Sequence, residues 1–67
     1  MDEAKNIALG QTGLSASDVN FVKTKLENDD GRAEYEIEFY SGTTEYDYTI
    51  DAVTGTVLEY DMDSIYD

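Results

Sequence analysis

The chain has 67 residues and a formal net charge of −12, with 16 Asp and Glu against 4 Lys and Arg, and it contains no Cys, His or Pro. A chain of this length is one domain burying only about 60% of its unfolded surface, and without Cys or His it has neither a disulfide nor the usual zinc ligands to reinforce a small core. The charge argues against nucleic acid and anionic lipid as partners, and the longest aliphatic run, Ile7-Ala8-Leu9, falls far short of the ~20 residues of a membrane span.

Residues 2–12 predict a helix. Ala4, Ile7, Ala8 and Gln11 fall at the spacing of one helical face. Asp2 and Glu3 complement the dipole in the first turn. Gly13 suits the left-handed position that ends a helix, with Leu14 beyond it for the accompanying apolar contact. So short a helix is marginal alone and needs a sheet to lie on.

Residues 19–28 admit two readings. Val19, Val22 and Leu26 fit a helical face, and Ser15-Ala16-Ser17-Asp18 has the form of a capping box. Val19, Phe21, Val22 and Thr24 are nevertheless strand-favouring types, and Asn28-Asp29-Asp30-Gly31 suits a hairpin turn. A strand over 19–28 is therefore expected. An even loop would set Leu26 opposite Ala33, Val22 opposite Ile37 and Asn20 opposite Phe39. Lys25 would then face Glu34, and Lys23 would face Glu36, on the other side of the sheet.

Residues 32–51 carry the clearest pattern. Ala33, Tyr35, Ile37 and Phe39 alternate with charged neighbours, and Tyr46, Tyr48 and Ile50 resume the alternation after Ser41-Gly42-Thr43-Thr44. Strands over about 32–41 and 44–51, joined by a two-residue Gly42-Thr43 turn, set Phe39 opposite Tyr46, Ile37 opposite Tyr48 and Tyr35 opposite Ile50. The same register places Glu38 opposite Asp47 and Glu34 opposite Asp51. Like charges across a sheet are destabilising, and carboxylates crowded in this way are expected to hold their protons more tightly when folded.

Asp51-Ala52-Val53-Thr54-Gly55 reads as a three-residue hairpin with a bulge closed by Gly55. A last strand over about 55–60 would turn Leu58 and Tyr60 inward, opposite Ile50 and Tyr48. Residues 61–67 would form a fraying tail, leaving Tyr40 and Tyr66 as the exposed tyrosines. The expected fold is α+β: one N-terminal helix packed on a four-stranded antiparallel meander, a single domain over residues 1–67.

Together these segments resemble a PepSY domain. The resemblance is carried by Glu3-Ala4-Lys5-Asn6-Ile7-Ala8-Leu9, Gly13-Leu14-Ser15, Leu26-Glu27-Asn28-Asp29-Asp30-Gly31 and Tyr35-Glu36-Ile37-Glu38-Phe39. Most specific is Tyr46-Asp47-Tyr48-Thr49-Ile50-Asp51-Ala52-Val53-Thr54-Gly55-Thr56-Val57-Leu58, a tyrosine-rich strand, Asp-Ala-x-Thr-Gly and a short strand. The resemblance implies a cystatin-like fold and a non-catalytic module of bacterial exported proteins, including propeptides of thermolysin-like proteases, with a restraining role toward protease activity at the cell surface. It therefore implies an extracellular or cell-envelope location. The acidic N-terminus shows no secretory signal, but a domain excised from a longer protein would look the same.

The residues offer no catalytic constellation. Without His or Cys there is no Ser-His-Asp or Cys-His pair, and Gly10-Gln11-Thr12-Gly13 lacks the phosphate-cradle spacing. Asn28-Asp29-Asp30-Gly31 and Asp61-Met62-Asp63 cluster oxygens, yet neither continues as a calcium loop. No cofactor, metal or catalytic residue is expected. The reading is a non-catalytic protein-interaction module, regulatory or inhibitory toward a protease or another envelope protein. The alternative is a passive spacer domain of a larger bacterial surface protein. The candidate partner is a peptidase or a peptide segment, and the candidate surface comprises Glu36, Glu38, Glu45, Asp47, Val57 and Glu59. The 19–28 edge is guarded by Lys23 and Lys25, whereas the last strand carries only Glu59 as a charged guard.

Overall fold

The 3.6-residue spacing near the N-terminus forms α1, Asp2–Thr12, in a computed structural model that describes residues 2–65. Ala4 and Ala8 are buried against the sheet, Ile7 packs at the rim, and the small alanines let the helix approach closely. Gln11 does not join this face. It stays exposed while Leu9 is buried in its place, because an amide gains nothing from an apolar sheet. Gly13 takes φ +77° as expected, and its N–H donates to the Leu9 carbonyl at 2.9 Å.

Ser15-Ala16-Ser17-Asp18 makes one turn of 3₁₀ helix, Ala16–Asp18, and goes no further. Asp18 Oδ2 accepts from Ser15 Oγ at 2.8 Å and from Ser15 N–H at 3.3 Å. Val19 then turns extended, and the strand reading of the next segment holds. The meander runs β1 (Asn20–Asp29), β2 (Arg32–Ser41), β3 (Thr44–Asp51) and β4 (Val57–Ser64), antiparallel in that order and open at both edges.

The central hairpin has the expected register: Phe39 faces Tyr46, Ile37 faces Tyr48 and Tyr35 faces Ile50. Gly42 at φ +61°, with Thr43 at ordinary φ, gives the II′ pattern that matches strand twist. Around this pair lies the core of Ala4, Ala8, Leu9, Val19, Ile37, Phe39, Tyr48 and Ile50. Phe39 stacks on Tyr46 and Tyr48 with ring centroids 5.0 and 6.1 Å away, and meets Phe21 at 5.4 Å.

The first hairpin departs from the expected register. Its loop is Asp30-Gly31, with φ of 51° and 80°, the two positive angles of a type I′ turn, for which Asp-Gly is a favoured pair. Leu26 therefore faces Tyr35, Lys25 faces Glu36 and Lys23 faces Glu38, instead of Ala33, Glu34 and Glu36. A bulge between Phe21 and Lys23 then reverses the inward parity, so that Phe21 faces Phe39 and Asn20 faces Tyr40. Phe21 packs on the core while Val22 and Leu26, expected inside, are exposed. The bulge gains an aromatic contact that Val22 could not make.

The last hairpin is corrected at both ends. Asp51 N–H donates to Thr56 O and Gly55 N–H to Asp51 O, each at 2.8 Å, enclosing a turn of four residues, 52–55, where three were expected. A bulge shifts the pairing so that Val57, not Leu58, faces Ile50 and packs against the core. Tyr48 faces Tyr60 as expected, yet Tyr60 is 71% exposed, since α1 does not reach over it. β4 also continues through the segment expected to fray: Met62 faces Tyr46, Asp63 faces Glu45 and Ser64 faces Thr44. Tyr40 is half-buried, and Tyr66 lies outside the described residues.

The two glycine classes make a stability test. Gly55 has φ +77°, and a Cβ there would stand 3.3 Å from Ile7 Cδ1, whereas helical Gly10 has open space. In urea denaturation Gly55→Ala should lose about 1–2 kcal/mol, and Gly10→Ala should gain about 0.5–1 kcal/mol. Equal effects of the two would contradict this assignment of the turn.

Candidate functional site

Period-two alternation sends every second residue of β2, β3 and β4 to the sheet face opposite α1. That face carries Glu34, Glu36 and Glu38 on β2, Glu45, Asp47 and Asp51 on β3, and Glu59, Asp61 and Asp63 on β4. Glu38 lies opposite Asp47, which lies opposite Asp61, so three carboxylates cross the sheet in a row. Lys23 relieves one end, its Nζ 2.8 Å from Glu36 Oε1. Lys25 pairs along its own strand with Glu27 at 3.1 Å. Both pairs are exposed and add little stability.

Of the residues marked by the sequence, Glu38, Glu45 and Asp47 come together, each offering one oxygen within 4.8 Å of the others. Glu36 flanks them and Glu59 lies farther out, opposite Thr49. Val57 belongs elsewhere, packed at the core beside the bulge. The sequence reading missed Asp61 and Asp63, although Glu59, Tyr60, Asp61, Met62 and Asp63 continue the strand alternation in plain order. The carboxylate triad attracts cations, but calcium takes about six to eight oxygens, and three exposed side chains do not form such a cage.

The charges shift one another in two directions. Hydrogen bonding with Glu38, then burial and the Glu38 charge, hold the Glu45 carboxyl above the usual range. Asp47 is raised by burial and then by Glu45 and Asp61. Glu36 is lowered, by hydrogen bonding with Glu27 and then with Lys23. Asp51 also runs against the expectation of tighter protons. Its Oδ1 accepts from Val53 N–H at 2.8 Å and Thr54 N–H at 3.0 Å, and these donors hold its carboxyl below the usual range. Capping the turn outweighs the like charge of Glu34 across the strand.

The concavities of the opposite face are lined by both polar and apolar side chains. A hollow by the last turn is lined by Glu3, Ile7, Tyr35, Asp51 and Thr54, among others, and encloses about 200 Å³. A second, of about 270 Å³, lies between the end of α1 and β4, lined by Gln11, Thr12, Tyr46, Tyr48, Tyr60 and Met62.

The shifts give stability a two-sided pH dependence. Glu45 and Asp47 bind protons more tightly when folded, so their contribution is lost as pH rises from ordinary carboxylate values, near about 4, through their raised ones. Glu36 and Asp51 stabilise above those ordinary values, and their contribution is lost as pH falls through their lowered ones. Thermal melts should therefore peak at mildly acidic pH and fall toward neutrality, with added salt raising the melting point more at pH 7 than at the peak. Asp47→Asn should flatten the alkaline limb. A melting point independent of pH and salt would show that the carboxylate rows do not oppose folding.

Residues 1–61 match the family described as Peptidase propeptide and YPEB domain, PepSY. Over 66 residues the chain is 41% identical to Uncharacterized protein Spy1430 of Streptococcus pyogenes serotype M6, covering 98% of this chain and 51% of that protein. The chain thus spans about half the length of the curated relative it matches. No solved structure matches it. Domains of this family are non-catalytic, interact with protease-like partners and often occur in cell-envelope and extracellular proteins. Among the described residues no helix is long and apolar enough to cross a membrane. With one helix laid on an open four-stranded meander and the family's pattern running from residue 1 to 61, the chain belongs to the PepSY family.

Proposed function

We propose that this domain is a protein-interaction module that restrains a protease or another cell-envelope protein outside the cell. The observation that supports this reading is the carboxylate face, relieved at one end by Lys23 and adjoining an open edge strand. Such a face costs folding stability through repulsion, a cost that a basic partner would offset on binding. Glu45 and Asp47 are central to it and steer the approach, with Glu36 and Glu38 beside them. Glu59 and the edge that starts at Val57 receive the partner. The short turns at 30–31, 42–43 and 52–55 suit a module that must survive a protease, since they offer no long exposed loop for cleavage.

The test is a titration of the domain into a thermolysin-like protease from the same source. Inhibition with the domain left intact is expected. Reversing Glu45 and Asp47 to lysine should slow association several-fold at low salt and leave dissociation nearly unchanged. An intact domain that leaves the protease uninhibited at high micromolar concentration would favour the spacer reading instead.

A further inference from the structure

The side of β4 turned away from the acidic face is also unfinished. An α-helix with its side chains is about 10–12 Å across, and strands lie about 4.8 Å apart, so one helix covers about two or three strands. α1 lies over β2 and its neighbours, and the strip along β4 is left open. Tyr60 and Met62 on that strip are 71% and 62% exposed, although Tyr60 stacks on Tyr48 at 6.0 Å and Met62 faces Tyr46. With Gln11 and Thr12 they border the 270 Å³ groove.

The backbone at this strip points outward. Ile65 N–H donates to Thr43 O at 2.8 Å, and Glu45, Asp47 and Thr49 are set opposite Asp63, Asp61 and Glu59 in the same register. Antiparallel pairing alternates, so the odd-numbered residues of β4 bond to β3 while Tyr60 and Met62 direct their N–H and C=O to the open edge. The Met62 N–H is met there by Asp61 Oδ1 at 3.0 Å, an acceptor that an incoming carbonyl can replace. Residues 59–63 therefore present three things together: an unpaired edge, an apolar shelf on one side, and Glu59, Asp61 and Asp63 on the other.

We infer that β4 accepts a fifth strand from an extended segment in which basic and apolar side chains alternate. The apolar side chains lie on the Tyr60–Met62 shelf beside Gln11, and the basic ones extend the outer face beside Glu59, Asp61 and Asp63. Strand addition supplies the backbone hydrogen bonds, and the alternation supplies selectivity. A second copy of this chain is disfavoured, because each copy carries −12 and pairing β4 with β4 would set acidic side chains against acidic side chains. This inference rests on the interaction-module reading and names the chemistry of its partner.

The test uses capped eight-residue peptides of lysine and valine, one in strict alternation and one with the same residues in two blocks. At about 0.15 M salt, where exposed charges are largely screened beyond about 8 Å, the alternating peptide should bind about tenfold more tightly than the blocked one. The Tyr60 and Met62 amide resonances should shift most. Met62→Pro removes the outward N–H and should abolish the preference. Met62→Glu keeps the backbone, places a charge on the shelf and should reduce the preference, which serves if the proline variant does not fold. Equal affinity for both peptides would overturn strand addition while leaving a charge-steered interaction module standing. Binding of neither would overturn both. A preference that survives both substitutions would place the site elsewhere, and a dimer of the domain alone that Met62→Glu abolishes would show the edge to be self-paired.

Discussion

Phe39 is the point on which the rest of the structure depends. It is fully buried near the C-terminal end of β2, with Tyr46 and Tyr48 stacked on one side and Phe21 on the other. A 67-residue chain has little other means of joining its layers, since it has neither cysteine for a disulfide nor histidine for the usual zinc site. Aromatic side chains bury large areas each, and offset pairs add some energy beyond that area. The bulge in β1 follows from this need. It breaks the ladder between Phe21 and Lys23, and in exchange brings a second phenylalanine onto Phe39 while Val22 turns to water.

The same alternation that builds the core makes the opposite face acidic. Glu38 and Asp47 are each held in place by the apolar neighbour before and after them, so the repulsion between them is imposed by the packing of Ile37, Phe39, Tyr46 and Tyr48. Lys23 and Lys25 sit only at the β1 side, leaving β3 and β4 without a cation in either strand. Folding thus concentrates negative potential toward β4. A steep gradient across so small a molecule orients an approaching basic partner before any contact forms.

Local turn chemistry governs where strands meet, and it was stronger than cross-strand charge pairing. The sequence offered Lys25 with Glu34 and Lys23 with Glu36 as direct pairs, but exposed pairs contribute little. Asp30-Gly31 at two positive φ angles has a clear preference for type I′ geometry. Two residues of slip leave the side-chain faces unchanged, so Lys23 still reaches Glu36 diagonally at 2.8 Å. Asp51 shows the same ordering of effects, its carboxylate serving the turn at 52–55 despite Glu34 across the strand.

Read without a structure, residues 32–51 already determine the central hairpin, because strict alternation, Gly42 and a two-residue gap leave one register that keeps every apolar side chain on one face. The helix and its end at Gly13 were equally legible from local spacing. The acidic face follows from parity and needs no tertiary information at Glu36, Glu38, Glu45 and Asp47. The bulges beside Phe21 and Leu58 were decided only by the tertiary structure, since each exchanges a ladder bond for a fit against neighbours distant in sequence. The exposed Tyr60–Met62 strip was likewise invisible in the pattern. Alternation assigns those side chains to the helix side of the sheet, but whether that side is covered depends on how far one short helix reaches across four strands.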